Sequence, residues 1–382
     1  MIFQTPPMSF EEAAALQRID ELRRQLRFQV AQPRRWVGRV RRVLGARALQ
    51  GSNSIEGYEV SVEDAMAAIG GEEPADAQLD DWNAVSGYRR AMTYVLQLAH
   101  DEHFQYSPQI LRSLHFMMTE YTLDASPGLW RPRPIWIRNE ATGEVVYEGP
   151  PADEVPGLVQ ELTDDLSRED ETPVLIRAAM AHLNLVMIHP FRDGNGRMSR
   201  CLQTLVLARE QILAPAFSSI EEYLGRNTQA YYRVLQQVGS LTWQPRRDAR
   251  PWIRFCLEAH FVQASSVLRR VKESEEIWIK LEAVCSDKRL PPRMLSALFD
   301  ATIGMKVRNS SYRTALELSD EQISNQAATD DLRAMVQAGL LQRFGARRGS
   351  YYQAADPLQS IWDEIRKRRM RIDPSSLFAI TD

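Results

Sequence analysis

The chain has 382 residues, 44% of them hydrophobic and 25% charged, with 47 Lys and Arg against 50 Asp and Glu for a formal net charge of -3. That length suits two or three folding units, and the near-balanced charge points to no particular partner. No apolar run approaches the roughly 20 residues that span a bilayer, and the segment from Met1 to Pro7 has no basic region leading into an apolar stretch, so a membrane role is excluded and the cytoplasm is the expected location.

In chain order, Ser9 to about Val43 places Ala13, Leu16, Ile19, Leu22 and Leu26 at three- and four-residue spacings, which predicts a helix. A second, arginine-rich helix is expected from Trp36 to Ile55, with Gly57 as its stop. Ser61 and Asp64 form a capping box opening a short helix that ends at Gly70 and Gly71. Amphipathic helices are expected through Ala84 to Leu98 and Pro108 to Tyr121. The runs Pro134 to Arg138 and Glu144 to Glu148, around a turn at Ala141 to Gly143, predict a β-hairpin.

Thr172 followed by Pro173 reads as an N-cap with proline at the first helical position, opening a helix whose apolar face is Ile176, Ala179, Met180, Leu183 and Val186. Further helices are expected through Gln203 to Glu210, Asn227 to Val238 and Pro251 to Leu268, the last running on as a connector. From about Leu290 the character changes. Helices over 291–299, 311–316 and 325–341, then a hairpin over 341–352 with Gly345 and Gly349, resemble a winged helix, and the tail from Asp373 is expected to be loosely held. Cys201, Cys256 and Cys285 are odd in number and set among apolar residues, so they read as buried thiols rather than a disulfide or zinc framework.

The chemistry concentrates in His189 to Arg200. Gly194, Asn195 and Gly196 let the backbone turn at a helix N-terminus, where converging N–H groups bind phosphate oxygens. Arg197 and Arg200, three residues apart, share a helix face and can clamp a polyphosphate, while Asp193 is a hard oxygen ligand suited to the accompanying Mg2+. His189, with an unperturbed pKa of about 6.5, can accept a proton from an attacking hydroxyl. His182, upstream on the patterned helix, reads as a hydrogen-bonded structural residue.

These residues match the Fic motif at every fixed position: His-Pro-Phe, two variable residues, Gly-Asn-Gly-Arg, two variable residues, Arg. The chain therefore resembles the Fic family of protein adenylyltransferases, the subclass with an N-terminal inhibitory motif. The resemblance implies a mainly α fold, a Fic helical-bundle core with a small β-hairpin flap, here joined to a C-terminal winged-helix domain. It also implies that His189 deprotonates a Ser, Thr or Tyr hydroxyl of a protein, the enzyme itself included, as AMP is transferred from Mg-ATP. Asp193 would bind Mg2+, Gly194, Asn195 and Gly196 the α- and β-phosphates, and Arg197 and Arg200 the outer phosphates, with Phe191 a core anchor.

Ser52 to Gly57 fits the family's inhibitory pattern, in which Glu56 would pair with Arg200 and deny it to the γ-phosphate. The hairpin 134–148 corresponds to the flap along which a protein substrate docks by main-chain pairing. Tyr231 and Tyr232 correspond to paired tyrosines of the nucleotide-base pocket. The implied organisation is 1–75 inhibitory region, 76–262 catalytic core, 263–289 connector helix, 290–356 winged helix and 357–382 basic helix and tail. Other readings stay open: a phosphotransferase or de-AMPylase on the same fold, or a nucleotide-sensing, DNA-binding transcription regulator. DNA contact would fall to Arg347 and Arg348 and the run Arg366 to Arg369, opposed by Asp330 and Asp331 in the helix facing the groove; a homodimer is the other partner left open.

Overall fold

The structure, a computed structural model, describes residues 1–31, 34–70, 78–138, 142–168, 170–211, 213–317, 321–346 and 349–379. It is mainly helical. Helices α1 (Phe10–Ala31), α2 (Val37–Ser54), α3 (Val62–Gly70), α4 (Leu79–Leu98) and α5 (Pro108–Thr119) precede a hairpin of β1 (Trp136–Arg138) and β2 (Val145–Glu148). Helices α6 (Val155–Leu166), α7 (Val174–Ile188), α8 (Asn195–Arg209), α9 (Pro215–Ser218), α10 (Glu221–Arg226) and α11 (Thr228–Gly239) follow, and α12 (Arg250–Asp287) leads into the last body. That body holds α13 (Leu295–Thr302), α14 (Asn309–Glu317), α15 (Asn325–Gln337), the hairpin β3 (Leu341–Phe344) with β4 (Tyr351–Ala354), and α16 (Asp356–Lys367).

Two apolar cores organise these elements. The first closes around α7, which is apolar almost all round and so is buried by its neighbours rather than by one face. Val85 and Tyr88 of α4, Leu114 of α5, Leu158 of α6, Met198 and Leu202 of α8, and Trp252 of α12 belong to the same core. The second core joins Val267, Val271 and Leu281 of α12 to Leu298 and Phe299 of α13, Tyr312 of α14, Leu332 of α15 and Leu358 of α16. Val37, Val40 and Leu44 of α2 belong to it as well, while Ala46 and Leu49 of the same helix belong to the first. Position 262 falls inside α12, a single helix of 38 residues that enters both cores.

Several local expectations need correction. The first helix ends at Ala31, not near Val43; Pro33 stands in the sequence between it and α2, and proline lacks the N–H a continuing helix needs. Thr172 does not cap α7: Pro173 itself holds the N-cap position with an extended ψ of 137°. Helices α6, α9 and α10 were not expected. Pro156 starts α6 at its first turn, and its apolar Leu158, Val159, Leu162 and Leu166 seal it onto the first core. The tail from Asp373 is docked through the described residues: Arg18 donates to the carbonyls of Ser376 and Leu377 at 2.6 and 2.8 Å, and Leu377 is buried. Ser61 does cap α3, accepting from Asp64 N at 3.0 Å and donating to its carboxylate at 2.8 Å. Gly71, Ala141, Arg347 and Arg348 lie outside the described residues.

In the last body, α13 to α15 run into the β3–β4 hairpin, and Val307 adds a bridge to Tyr352. Asp331 does not face outward. It is buried against Tyr312 Oη at 2.9 Å and the Arg293 guanidinium at 2.7 and 2.8 Å, so it organises the interior of this body. Arg368 and Arg369 are likewise engaged, with Glu276 and Glu273 of α12. Among the described residues no helix is long and apolar enough to cross a membrane.

Candidate active site

Helix α7 ends at Ile188, and His189 takes the left-handed C-cap conformation with φ 51°. Its Nδ1 lies 3.0 Å from the carbonyl of Val186. A carbonyl oxygen can only accept, so Nδ1 carries the proton and Nε2 keeps its lone pair. Desolvation pushes the imidazole pKa down to about 4, opposed by the Val186 contact. His189 is only partly buried as a residue, and its imidazole is neutral at pH 7 with no partner on Nε2 among the described residues.

The loop after His189 is held from inside. Phe191 is fully buried and stacks on His115, with ring centroids 3.7 Å apart and planes 5° from parallel. Asn195 closes the turn on itself, its Oδ1 accepting from Phe191 N and its Nδ2 donating to Phe191 O, both at 2.9 Å. Its side chain is thus engaged within the loop, and the main-chain N–H is the group Asn195 can offer an anion. His115, which the sequence reading missed, accepts from Gly128 N at 2.9 Å through Nδ1, so its Nε2 donates to the carbonyl of Asp193 at 3.0 Å. This histidine fixes the loop from α5, 78 residues away, and nothing in its local pattern sets it apart from a core residue.

Gly194, with φ 75°, opens α8, whose first-turn N–H groups have no carbonyl one turn back to bond. Beside them lie Arg197 and Arg200, each about 1% exposed. Arg200 donates from Nε to Ser52 Oγ at 2.7 Å, and from Nη2 to Ser52 O at 2.9 Å and Glu56 Oε1 at 2.7 Å. Burial works against the guanidinium charge, while the Glu56 carboxylate leads the groups that together hold the pKa above its ordinary value. A Cβ on Gly196 would collide with Glu56 Oε1, so only glycine lets that carboxylate sit on the first turn of α8. Arg197 lies over the Tyr58 ring at 5.0 Å. Arg197 Nε and Nη1 and Arg200 Nη1 are buried without a hydrogen-bond partner among the described residues. Buried donors of this kind carry a desolvation cost that an anion would offset.

Asp193 stands at the mouth, its side chain 53% exposed and 3.8 Å from Arg197 Nη2. Among the described residues no group of three or more His, Cys, Asp or Glu is gathered to hold a metal, so Asp193 offers one hard oxygen ligand. The paired tyrosines part company. Tyr232 is half exposed and donates to Ile55 O at 3.1 Å. Tyr231 is 1% exposed, lies 5.9 Å from Trp252 between ring centroids, and bonds His182 Nε2 at 2.9 Å, so it cannot present a face to a nucleotide base. His182 is structural as expected, also meeting Gln203 Oε1 at 2.6 Å. The three cysteines are buried and free.

Comparison with known proteins places these residues in context. A family model described as the Fic/DOC family matches residues 105–207. A probable protein adenylyltransferase of Aquifex aeolicus, aq_aa38, is 32% identical over 96 residues, 25% of this chain and 30% of that protein. The protein adenylyltransferase fic-1 of Caenorhabditis elegans is 33% identical over 99 residues, 25% of this chain and 17% of that one. The matched part thus spans less than a third of either relative. Among solved structures, a Fic family protein from Desulfovibrio desulfuricans G20 shares the fold over 93% of this chain and 99% of its own, with TM-score 0.58 at 23% identity. A Fic domain containing signaling protein from Bacteroides thetaiotaomicron does so over 67% and 97%, with TM-score 0.57 at 22% identity.

Proposed function

Since the chain belongs to the Fic family, we propose that it is a protein adenylyltransferase, moving AMP from ATP to a protein hydroxyl and restrained by Glu56. The observation that carries this reading is the neutral His189, with Nε2 free, beside two buried arginines that keep unpartnered N–H groups at a helix N-terminus. One base and one polyphosphate site suit attack by a hydroxyl on a phosphorus.

In the proposed reaction the hydroxyl oxygen bonds to the α-phosphorus, the bond to the bridging oxygen breaks, pyrophosphate leaves, and the hydroxyl proton passes to His189 Nε2. The first-turn N–H groups at Asn195 and Gly196 would receive the α- and β-phosphates, and Arg197 and Arg200 the outer ones. Asp193 suits Mg2+, because that ion commonly takes one or two carboxylates and fills the rest of its shell with water and substrate phosphate. When bound there it would neutralise phosphate charge. Tyr232, not Tyr231, is the aromatic residue open to the base. The exposed Trp136 lies on β1, whose one partner strand among the described residues is β2, leaving its outer edge open to a target segment of extended chain.

Glu56 occupies Arg200 and brings a negative charge to the helix terminus that the γ-phosphate would need. Self-labelling of wild type, Glu56→Gly, and Glu56→Gly with His189→Ala tests both parts, using Mg2+ and ATP labelled at the α- or γ-phosphate. The expected result is α-label only, stronger in Glu56→Gly by about tenfold or more and lost without His189. Label from the γ-phosphate, or label that survives His189→Ala, overturns the reading.

A further inference from the structure

Helix α7 delivers His189 at its C-terminus, where carbonyl groups have no partner within the helix. Among the described residues Val186 O takes His189 Nδ1, Met187 O takes Tyr147 Oη, and the carbonyls at the very end take Arg131. It donates from Nε to His189 O at 2.8 Å and from Nη2 to Ile188 O at 3.5 Å, and its main-chain N–H donates to Pro190 O at 2.9 Å. The same guanidinium reaches Arg133 O through Nη1 at 2.9 Å and Pro150 O through Nη2 at 2.6 Å. Arg133 leads into the β1–β2 hairpin and Pro150 leaves it.

Arg131 is 4% exposed, and among the described residues no carboxylate pairs with it. A buried cation without an anion is costly, and carbonyl dipoles together with the negative end of α7 offset that cost. A residue that merely capped α7 would bond one helix end. This one fastens three segments, the two hairpin stems and the base, through the planar fork that only arginine has. Tyr147 of β2 adds a further tie, donating to Met187 O at 2.7 Å. Gly149 is what lets the fork through, since a Cβ there would lie 3.3 Å from Arg131 Nη2 and 3.0 Å from Ile135 Cγ2.

We propose that Arg131 is a positioning residue that sets the spacing between the target-docking hairpin and the base His189. The inference rests on the reading of His189 as base and of the hairpin as the docking edge. A target hydroxyl carried on β1 must meet Nε2 at hydrogen-bond distance, and an error of about 1 Å costs on the order of 100-fold in rate. Arg131 is buried with its donors spent on main-chain carbonyls, so its loss should appear in turnover and not in ATP binding.

The test uses the full chain carrying Glu56→Gly, with Arg131→Ala, Arg131→Lys and Tyr147→Phe added singly. Self-labelling rates at varied ATP should give a kcat lower by about 100-fold for Arg131→Ala and about tenfold for Arg131→Lys, with a smaller fall for Tyr147→Phe and the KM for ATP within about twofold throughout. The imidazole NMR resonances of His189 should move in the Arg131 variants while those of His115 and His182 stay in place. An unchanged kcat, a KM for ATP that rises in step with the loss, or unmoved His189 resonances in folded protein overturns the inference. Should Arg131→Ala fail to fold, Arg131→Lys and Tyr147→Phe carry the same test. If the Glu56→Gly parent itself takes no label, the proposed activity fails, and the place of Arg131 is decided by the His189 resonances alone.

Discussion

At its N-terminal half α2 is seated by bulk and charge: Val37, Val40 and Leu44 are buried in the second core, and Arg39 is ion-paired with Asp300 of α13, both almost fully buried. At its C-terminal end the same helix is seated by a lack of bulk. A Cβ on Gly51 would lie 2.6 Å from Glu221 O of α10, and one on Gly225 would lie 2.7 Å from the Gly51 backbone. That close approach delivers Ser52 and, just past the helix, Glu56 to Arg200. About 25 Å of chain, mostly continuous helix, separates Arg39 from Glu56. One end is thus sensitive to loss of a charge, the other to gain of a methyl group.

The largest expected effect breaks the first seat. Asp300→Ala leaves the Arg39 guanidinium buried without its partner, at a cost of about 3–5 kcal/mol, read as a lower denaturation midpoint. Replacing both residues by apolar ones of similar volume should recover most of that loss. A cost under about 1 kcal/mol for Asp300→Ala would mean that apolar packing alone seats this end. Gly51→Ala attacks the second seat and should cost about 1–3 kcal/mol, because backbone on α10 cannot yield as a side chain would. It should also raise self-labelling several-fold by lifting Ser52 and Glu56 away from Arg200. A stable Gly51→Ala protein that labels like wild type would show that the close approach does not hold the carboxylate in place.

The same contrast explains what the sequence could and could not convey. His189 to Arg200 are twelve consecutive residues whose turn brings them together locally, so the candidate site was legible before any fold. Glu56 was legible by resemblance, and its contact with Arg200 needs the packing of α2 on α10. His115 and Arg131 come from outside the motif, and a histidine on an amphipathic helix or an arginine in a loop gives no sign of bonding carbonyls far along the chain. Tyr231 and Tyr232 show the opposite error. Neighbours in a helix point about 100° apart, so the pair could not both face one ligand: Tyr231 went into the core and Tyr232 outward. Asp330 and Asp331 divide in the same way, the first pairing with Arg333 at the surface and the second buried.

Ser52→Ala should have the smallest effect and sharpens the comparison most. It removes the Oγ that accepts from Arg200 Nε, while Ser52 O and Glu56 Oε1 still accept from Nη2. A hydrogen bond to a charged group contributes about 1.5–3 kcal/mol, and part of that should return as Arg200 shifts toward Glu56. Self-labelling should therefore rise by a few-fold at most, well short of the rise in Glu56→Gly. The double variant decides how Ser52 acts. If its hydroxyl restrains the site only by holding Arg200 on α2, adding Ser52→Ala to Glu56→Gly gives no further gain, and the two effects are non-additive as expected for groups that share one partner. A double variant that labels faster than Glu56→Gly by the full factor seen for Ser52→Ala alone would mean that the seat and the carboxylate restrain the site independently.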